Sequence, residues 1–250
     1  MQYLIALVAL TGMEIVLGID NIVFVAILTG RLPPEQQSGG RRLGLGLAMI
    51  MRILLLLTLS WILGLTRPLF RLSDLSVPET WLGSEVNDIS AKDLILLGGG
   101  LFLIWKSVHE IHLKVAGEER QRTVAGQVTL AGVLVQVAIM DIIFSLDSVI
   151  TAIGMVRADR YGIWVMIAAV ILAVAVMMVF AGAISRFVET NPTLKILALS
   201  FLLLIGVMLV AEGVGTYLDK GYIYFAMAFA LAVEMINLRV RGVAKEPLVT

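Results

Sequence analysis

Two acidic pairs stand inside runs that are otherwise lipid-like. Glu14 and Asp20 lie in the first run, with Asn21 following; Asp141 and Asp147 lie in a later one, with Ser148 following. Both pairs have a six-residue spacing, and both second acids precede a small polar residue. A carboxylate in hydrocarbon is expensive unless it is paired, solvated in a cavity or bound to a cation. Four of them in two matching places read as a site that handles cations. Glu14, Asp20, Asp141 and Asp147, with the Asn21 amide oxygen and the Ser148 hydroxyl, would form an oxygen-rich shell. The chain has no cysteine, so thiolate ligands are excluded, and hard oxygens suit Mg²⁺, Ca²⁺ or Mn²⁺. The competing reading is that the acids form ion pairs holding a helix bundle together.

Six residues along a regular helix rotate by about 600°, leaving the two acids of a pair roughly 120° apart. A break at Gly18 would bring Glu14 and Asp20 toward one face and free backbone carbonyls. The matching position in the second run is Ser145, a weaker breaker.

A second group of polar residues is Lys106, His109, Glu110 and His112. Lys106 and Glu110 are four apart and can pair along one helix face. The group either neutralises an empty carboxylate site or relays protons, or it is an interfacial helix end with snorkelling side chains. Arg52, inside another apolar run, reads first as counter-ion to one of the carboxylates, with direct substrate contact as the alternative, and so belongs with the coupling or gating residues. Glu212 and Glu234, the latter with Asn237, stand near helix ends as gating or anchoring residues. The methionines and Gly98-Gly99-Gly100 read as packing features.

The elements that must position these residues are membrane helices. Of 250 residues, 59% are hydrophobic and 15% charged, and the formal net charge is zero. That composition excludes an ordinary soluble domain and gives no sign of nucleic-acid binding. No P-loop, dinucleotide fingerprint or Ser-His-Asp constellation is present, so no enzyme activity is expected. Seven runs approach the roughly 20 apolar residues needed to cross a bilayer: 3–29, 43–66, 94–113, 124–156, 161–185, 194–214 and 222–238. The first lacks the basic start of a signal peptide and reads as a permanent helix. The fourth is longer than a straight crossing needs. With the N-terminus outside and the C-terminus inside, eleven Lys and Arg fall on inner segments and six on outer ones, which sets that orientation. The long outer connection, 67–93, is net acidic.

Glu14, Asp20 and Asn21 map onto Asp141, Asp147 and Ser148 at a constant offset of 127 residues. Two three-helix units follow, 3–113 and 124–214, with 222–238 as an added seventh helix in a single transmembrane domain spanning 1–250. A unit with an odd number of crossings must invert in its second copy. The expected fold is therefore all-α and polytopic, an inverted 3+3 repeat plus one C-terminal helix, a common transporter plan with its site at the repeat interface.

The runs Glu14-Ile-Val-Leu-Gly-Ile-Asp20-Asn21, Lys106-Ser-Val-His-Glu-Ile-His112 and Asp141-Ile-Ile-Phe-Ser-Leu-Asp147-Ser148, with Gly221-Tyr-Ile-Tyr-Phe-Ala-Met-Ala-Phe229, Glu234 and Asn237, resemble the TerC family of integral membrane proteins. The family is named for an association with tellurite resistance and looks like a branch of the LysE-type transporter superfamily. The resemblance covers nearly the whole chain. It implies Mn²⁺ export across the bacterial inner membrane, with Asp20, Asp147, Asn21, Glu14 and Asp141 as the metal and proton-coupled residues. Some relatives carry CBS domains beyond the membrane part; this sequence runs to Thr250 without them, as a short form.

The expected function is a divalent-cation exporter, Mn²⁺ first and Ca²⁺ next, working by alternating access with proton or potential coupling. The cation is cargo, and no resident cofactor is expected. The partners are the bilayer, the metal ion and protons; an oligomer is compatible with the chain, and nucleic acid is not a partner. A membrane scaffold that transports nothing, acting in metal or tellurite stress, and an exporter of organic zwitterions are the other readings.

Overall fold

The computed structural model describes residues 2–58, 64–71, 88–116, 128–155, 160–216 and 218–243. The side chains of Asp20 and Asp147 lie outside the described residues. The described chain contains seven long helices: α1 (Gln2–Thr29), α2 (Pro34–Leu57), α3 (Ala91–Val115), α4 (Leu130–Met155), α5 (Arg160–Thr190), α6 (Pro192–Gly213) and α7 (Lys220–Val243). α1, α3, α5, α6 and α7 are long and apolar enough to cross a membrane. α4 is apolar over Leu130–Leu146, a shorter stretch, and α2 opens on a polar segment before its apolar one.

The helices begin where the local chemistry favours a start. α2 opens with proline in its first turn and Glu35 beside it; proline costs no hydrogen bond there, and the acid meets the positive end of the helix dipole. It therefore starts well before residue 43, where hydropathy alone begins the span. Ser90 caps α3 through a reciprocal box: the Asp93 N–H donates to Ser90 Oγ at 3.3 Å, and the Ser90 N–H donates to Asp93 Oδ2 at 2.8 Å. α5 continues past residue 185 to Thr190, because helical hydrogen bonding does not stop where lipid does.

Within the connection between α2 and α3 a short antiparallel pair forms from β1 (Pro68–Arg71) and β2 (Asp88–Ser90), with Phe70 opposite Ile89 and Arg71 opposite Asp88. Hydropathy shows only a loop there. The acidic residues Asp74, Glu79 and Glu85 of that loop lie outside the described residues.

α3 packs most extensively on α6, α1 on α5, and α2 on α4, with α2–α5 and α1–α4 contacts closing the middle. The core runs through the buried faces of α1, α4, α5 and α6, from Leu10 and Phe24 through Val137 and Met140 to Val170, Ala173 and Leu202. α7 rests mainly on α6 and turns Tyr222, Phe225 and Phe229 outward, as a helix on a lipid-facing rim would.

α1 is continuous through Gly18, which corrects the expected break. A Cβ on Gly18 would fall 2.5 Å from Met177 Cε of α5, so this glycine admits a neighbouring side chain and leaves the helix unbroken. Within the Gly98–Gly100 run, Gly99 and Gly100 behave as packing features and Gly98 does not. A Cβ on Gly100 would stand 2.7 Å from the Gly206 carbonyl oxygen and 2.8 Å from the Val210 nitrogen, backbone atoms that cannot rotate away. Gly100→Ala is expected to cost about 1–3 kcal/mol by overpacking α3 against α6. Gly98 has nothing within 4 Å of that position, so Gly98→Ala should be neutral or stabilise by up to about 1 kcal/mol. Unfolding in mixed micelles compares the two; equal losses would show that the α3–α6 approach is not the cause.

Candidate functional site

Glu14, Asn21, Arg52, Asp141, Ser145 and Ser148 are all buried, and Glu14, Arg52 and Asp141 each keep only 3% of their surface exposed. Three helices supply them. Glu14 sits near the middle of α1, twelve residues or about 18 Å from its start, Arg52 projects from α2, and the rest except Asn21 come from α4.

Arg52 is the hub. Its Nη1 donates to Glu14 Oε2 in a close ion pair, its Nε donates to Ser145 Oγ at 2.9 Å, and its Nη2 reaches Asp141 Oδ1 at 3.5 Å. Ser145 Oγ in turn donates to Asp141 Oδ2 at 3.1 Å, and Asn21 Nδ2 points at Asp141 Oδ1 from 3.5 Å. Ser148 Oγ donates to the Ser145 carbonyl at 3.2 Å. Contacts at 3.5 Å are at the outer edge of useful hydrogen bonding. The guanidinium is thus committed to Glu14 and only loosely engaged with Asp141, whose firmest partner is Ser145.

The structure therefore brings together one acid from each motif, plus Asn21 of the first motif against Asp141 of the second. Arg52 meets two carboxylates where the sequence reading gave it one. Ser145 is a member of the network that the sequence reading treated only as a weak helix breaker; its position one turn after Asp141 was the available signal. A cavity of about 40 Å³ adjoins Arg52 and Ser148 and is lined also by Leu17, Phe144, Met208 and Tyr224, enough space for water between polar groups. Among the described residues no three His, Asp or Glu side chains cluster as a ready metal site.

The other singled-out residues lie apart. Glu110, with 1% of its surface exposed, accepts from Arg31 Nη1 and Lys106 Nζ, each at 2.8 Å. His109 stacks on exposed Trp105, ring centroids 5.8 Å apart, and His112 is exposed. Glu212 pairs with Lys92 Nζ at 2.9 Å and Lys220 Nζ at 3.8 Å. Glu234, on α7, accepts from Asn237 Nδ2 at 3.4 Å. Lys92 and Glu110 are eighteen residues apart on α3, about 27 Å, so the two charged clusters stand one hydrocarbon thickness apart.

The sequence matches the model of the integral membrane protein TerC family over residues 1–247. The chain belongs to the TerC family. It is 52% identical over 242 residues to a UPF0053 protein of Haemophilus influenzae, covering 96% of this chain and 95% of that one. It is 49% identical over 234 residues to the UPF0053 inner membrane protein YgdQ of Escherichia coli K12, covering 94% and 92%. With the UPF0053 inner membrane protein YoaE of the same organism it shares 44% identity over 232 residues, 92% of this chain but 42% of the longer relative. No solved structure matches it. As a TerC-family chain with several bilayer-length apolar helices, it is an integral, multi-pass, all-α membrane protein.

Proposed function

We propose that this TerC-family protein exports a divalent cation, Mn²⁺ in the first place and Ca²⁺ as the nearest competitor, across the bacterial inner membrane. The observation that carries the reading is the buried oxygen cluster in which Asn21, Glu14, Asp141 and Ser145 converge from two matched motifs. Its ligating atoms are carboxylate and hydroxyl oxygens, the chemistry hard divalent ions take, and Asn21, which turns its Nδ2 to Asp141 here, would add its amide oxygen by rotating about its side chain. Asp20 and Asp147, one and a half turns along the same helices, complete the proposed ligand set with Ser148.

The transport cycle we infer is alternating access by two inverted three-helix units. The packing pattern supports it: exchanging α1, α2 and α3 with α4, α5 and α6 converts the α1–α5 contact into α4–α2 and leaves α3–α6 unchanged, and all of these contacts are present. The charged clusters at Glu110 and Glu212 then serve as closures at opposite faces. The N-terminus is outside and the C-terminus inside, and the drive is the proton gradient or the membrane potential. The inner membrane is the location named for YgdQ and YoaE.

A membrane scaffold that transports nothing is the second reading, and one observation favours it: Arg52 pairs the buried acids as a purely structural cation would. Flux into proteoliposomes separates the two. Wild type is expected to carry Mn²⁺, and Ca²⁺ less well, with flux lost in Asp20→Asn and in Asp147→Asn. Folded protein carrying neither ion would decide for the scaffold.

A further inference from the structure

The matched acids share an unmatched base. The offset of 127 residues that superposes the two motifs carries Arg52 onto Val179, an exposed apolar residue of α5. One guanidinium therefore serves two equivalent carboxylates, and it serves them unequally: closely at Glu14, and at 3.5 Å from Asp141. Arginine stays protonated in proteins, so it cannot vacate the site by losing its proton. It can only move, and the small cavity beside it offers Ser148 and Tyr224 as polar neighbours.

We propose that Arg52 is a tethered cation that competes with the transported ion for the Glu14–Asp141 carboxylates. A divalent ion held by both acids needs the carboxylate oxygens that Arg52 now faces, and an ion seated there would touch the guanidinium, a like-charge contact that low dielectric makes strongly unfavourable. Ion and guanidinium therefore exclude one another. The ion enters from the Asp141 side, where Arg52 holds least, and Arg52 returns to the carboxylates when the ion leaves, so the empty site need not stay doubly negative. This inference rests on the transport reading above and adds to it the residue that sets affinity and refills the vacated site.

A merely structural arginine makes the opposite forecast, since every substitution would then weaken the site with or without metal. The test uses the full chain in lipid nanodiscs, with Mn²⁺ and Ca²⁺ as probes, in calorimetric titration and thermal unfolding. Arg52→Lys keeps a charge but cannot span both acids, and it should bind Mn²⁺ at least about fivefold more tightly than wild type. Arg52→Gln should unfold at lower temperature without metal and regain stability with Mn²⁺ by a larger shift than wild type shows, because binding to the folded state alone stabilises it. If wild type binds metal and Arg52→Lys binds it no better, the competition is overturned while the transport reading stands. If wild type neither binds nor carries either ion, the transport reading falls, and this inference with it. Should Arg52→Gln fail to fold even with metal, Arg52→Lys still decides.

Discussion

Arg52→Met, measured without metal, is expected to lose about 3–5 kcal/mol of stability. The combined Glu14→Leu/Arg52→Met/Asp141→Leu variant should return to within about 2 kcal/mol of wild type while carrying no Mn²⁺. Removing only the base strands two carboxylates that the bundle has taken out of water, each 3% exposed. Removing all three charges removes the need for pairing, and Leu and Met refill the space. Recovery is incomplete because Asn21 loses its contact with Asp141; at 3.5 Å that contact is weak, so its loss costs toward the low end of the penalty for an unpaired buried amide, about 1 kcal/mol. Ser145 fares better, since a helical serine can turn back to a carbonyl of its own helix. Equilibrium unfolding in mixed micelles gives the stabilities and proteoliposome flux gives the transport. A triple variant as unstable as the single one would mean that shape at this crossing matters more than charge. A stable triple variant that still carries Mn²⁺ would remove Glu14 and Asp141 from the transport path.

Glu14, Asp141 and Arg52, which the structure buries together, stand out in the sequence because an ionisable group in an apolar run has few reasons to be there. Their pairing does not. Glu14 and Arg52 are 38 residues apart, and Arg52 and Asp141 are 89 apart; no local periodicity encodes which helices cross. The same limit applies to Arg31 with Glu110 and Lys92 with Glu212, pairs that join distant segments. Gly18 shows the converse: its neighbourhood in sequence suggested a broken helix, whereas its neighbour in space is Met177. Helix existence was legible from hydropathy, while helix ends followed capping chemistry at Pro34 and Ser90. The β1–β2 pair escaped because four- and three-residue strands are too short to display a period of two.

The two charged clusters should respond very differently to neutralisation. Glu110 has 1% of its side chain exposed between Arg31 and Lys106, whereas Glu212 has 17% exposed beside Lys92 and Lys220. Glu110→Gln is expected to cost about 2–3 kcal/mol, below the full penalty for breaking a buried pair because both bases are partly exposed and can reach solvent. Glu212→Gln should cost about 1 kcal/mol or less, since solvent screens that cluster. Raising salt from about 0.1 to 1 M should shrink the Glu212 contribution and leave most of that from Glu110. Arg31 lies in the connection between α1 and α2, so its bond to Glu110 ties that connection to α3. On the transport reading proposed above, the more deeply buried Glu110 cluster is the closed end of this conformation. The chain has no cysteine, so a single Ser107→Cys reports on that closure without background; Ser107 is buried and lies three residues before Glu110. Adding Glu110→Gln should raise the rate of thiol modification at that position by about tenfold or more, the equivalent of about 1.4 kcal/mol of easier opening. An unchanged rate would show that the Arg31–Glu110 pair does not hold this end shut.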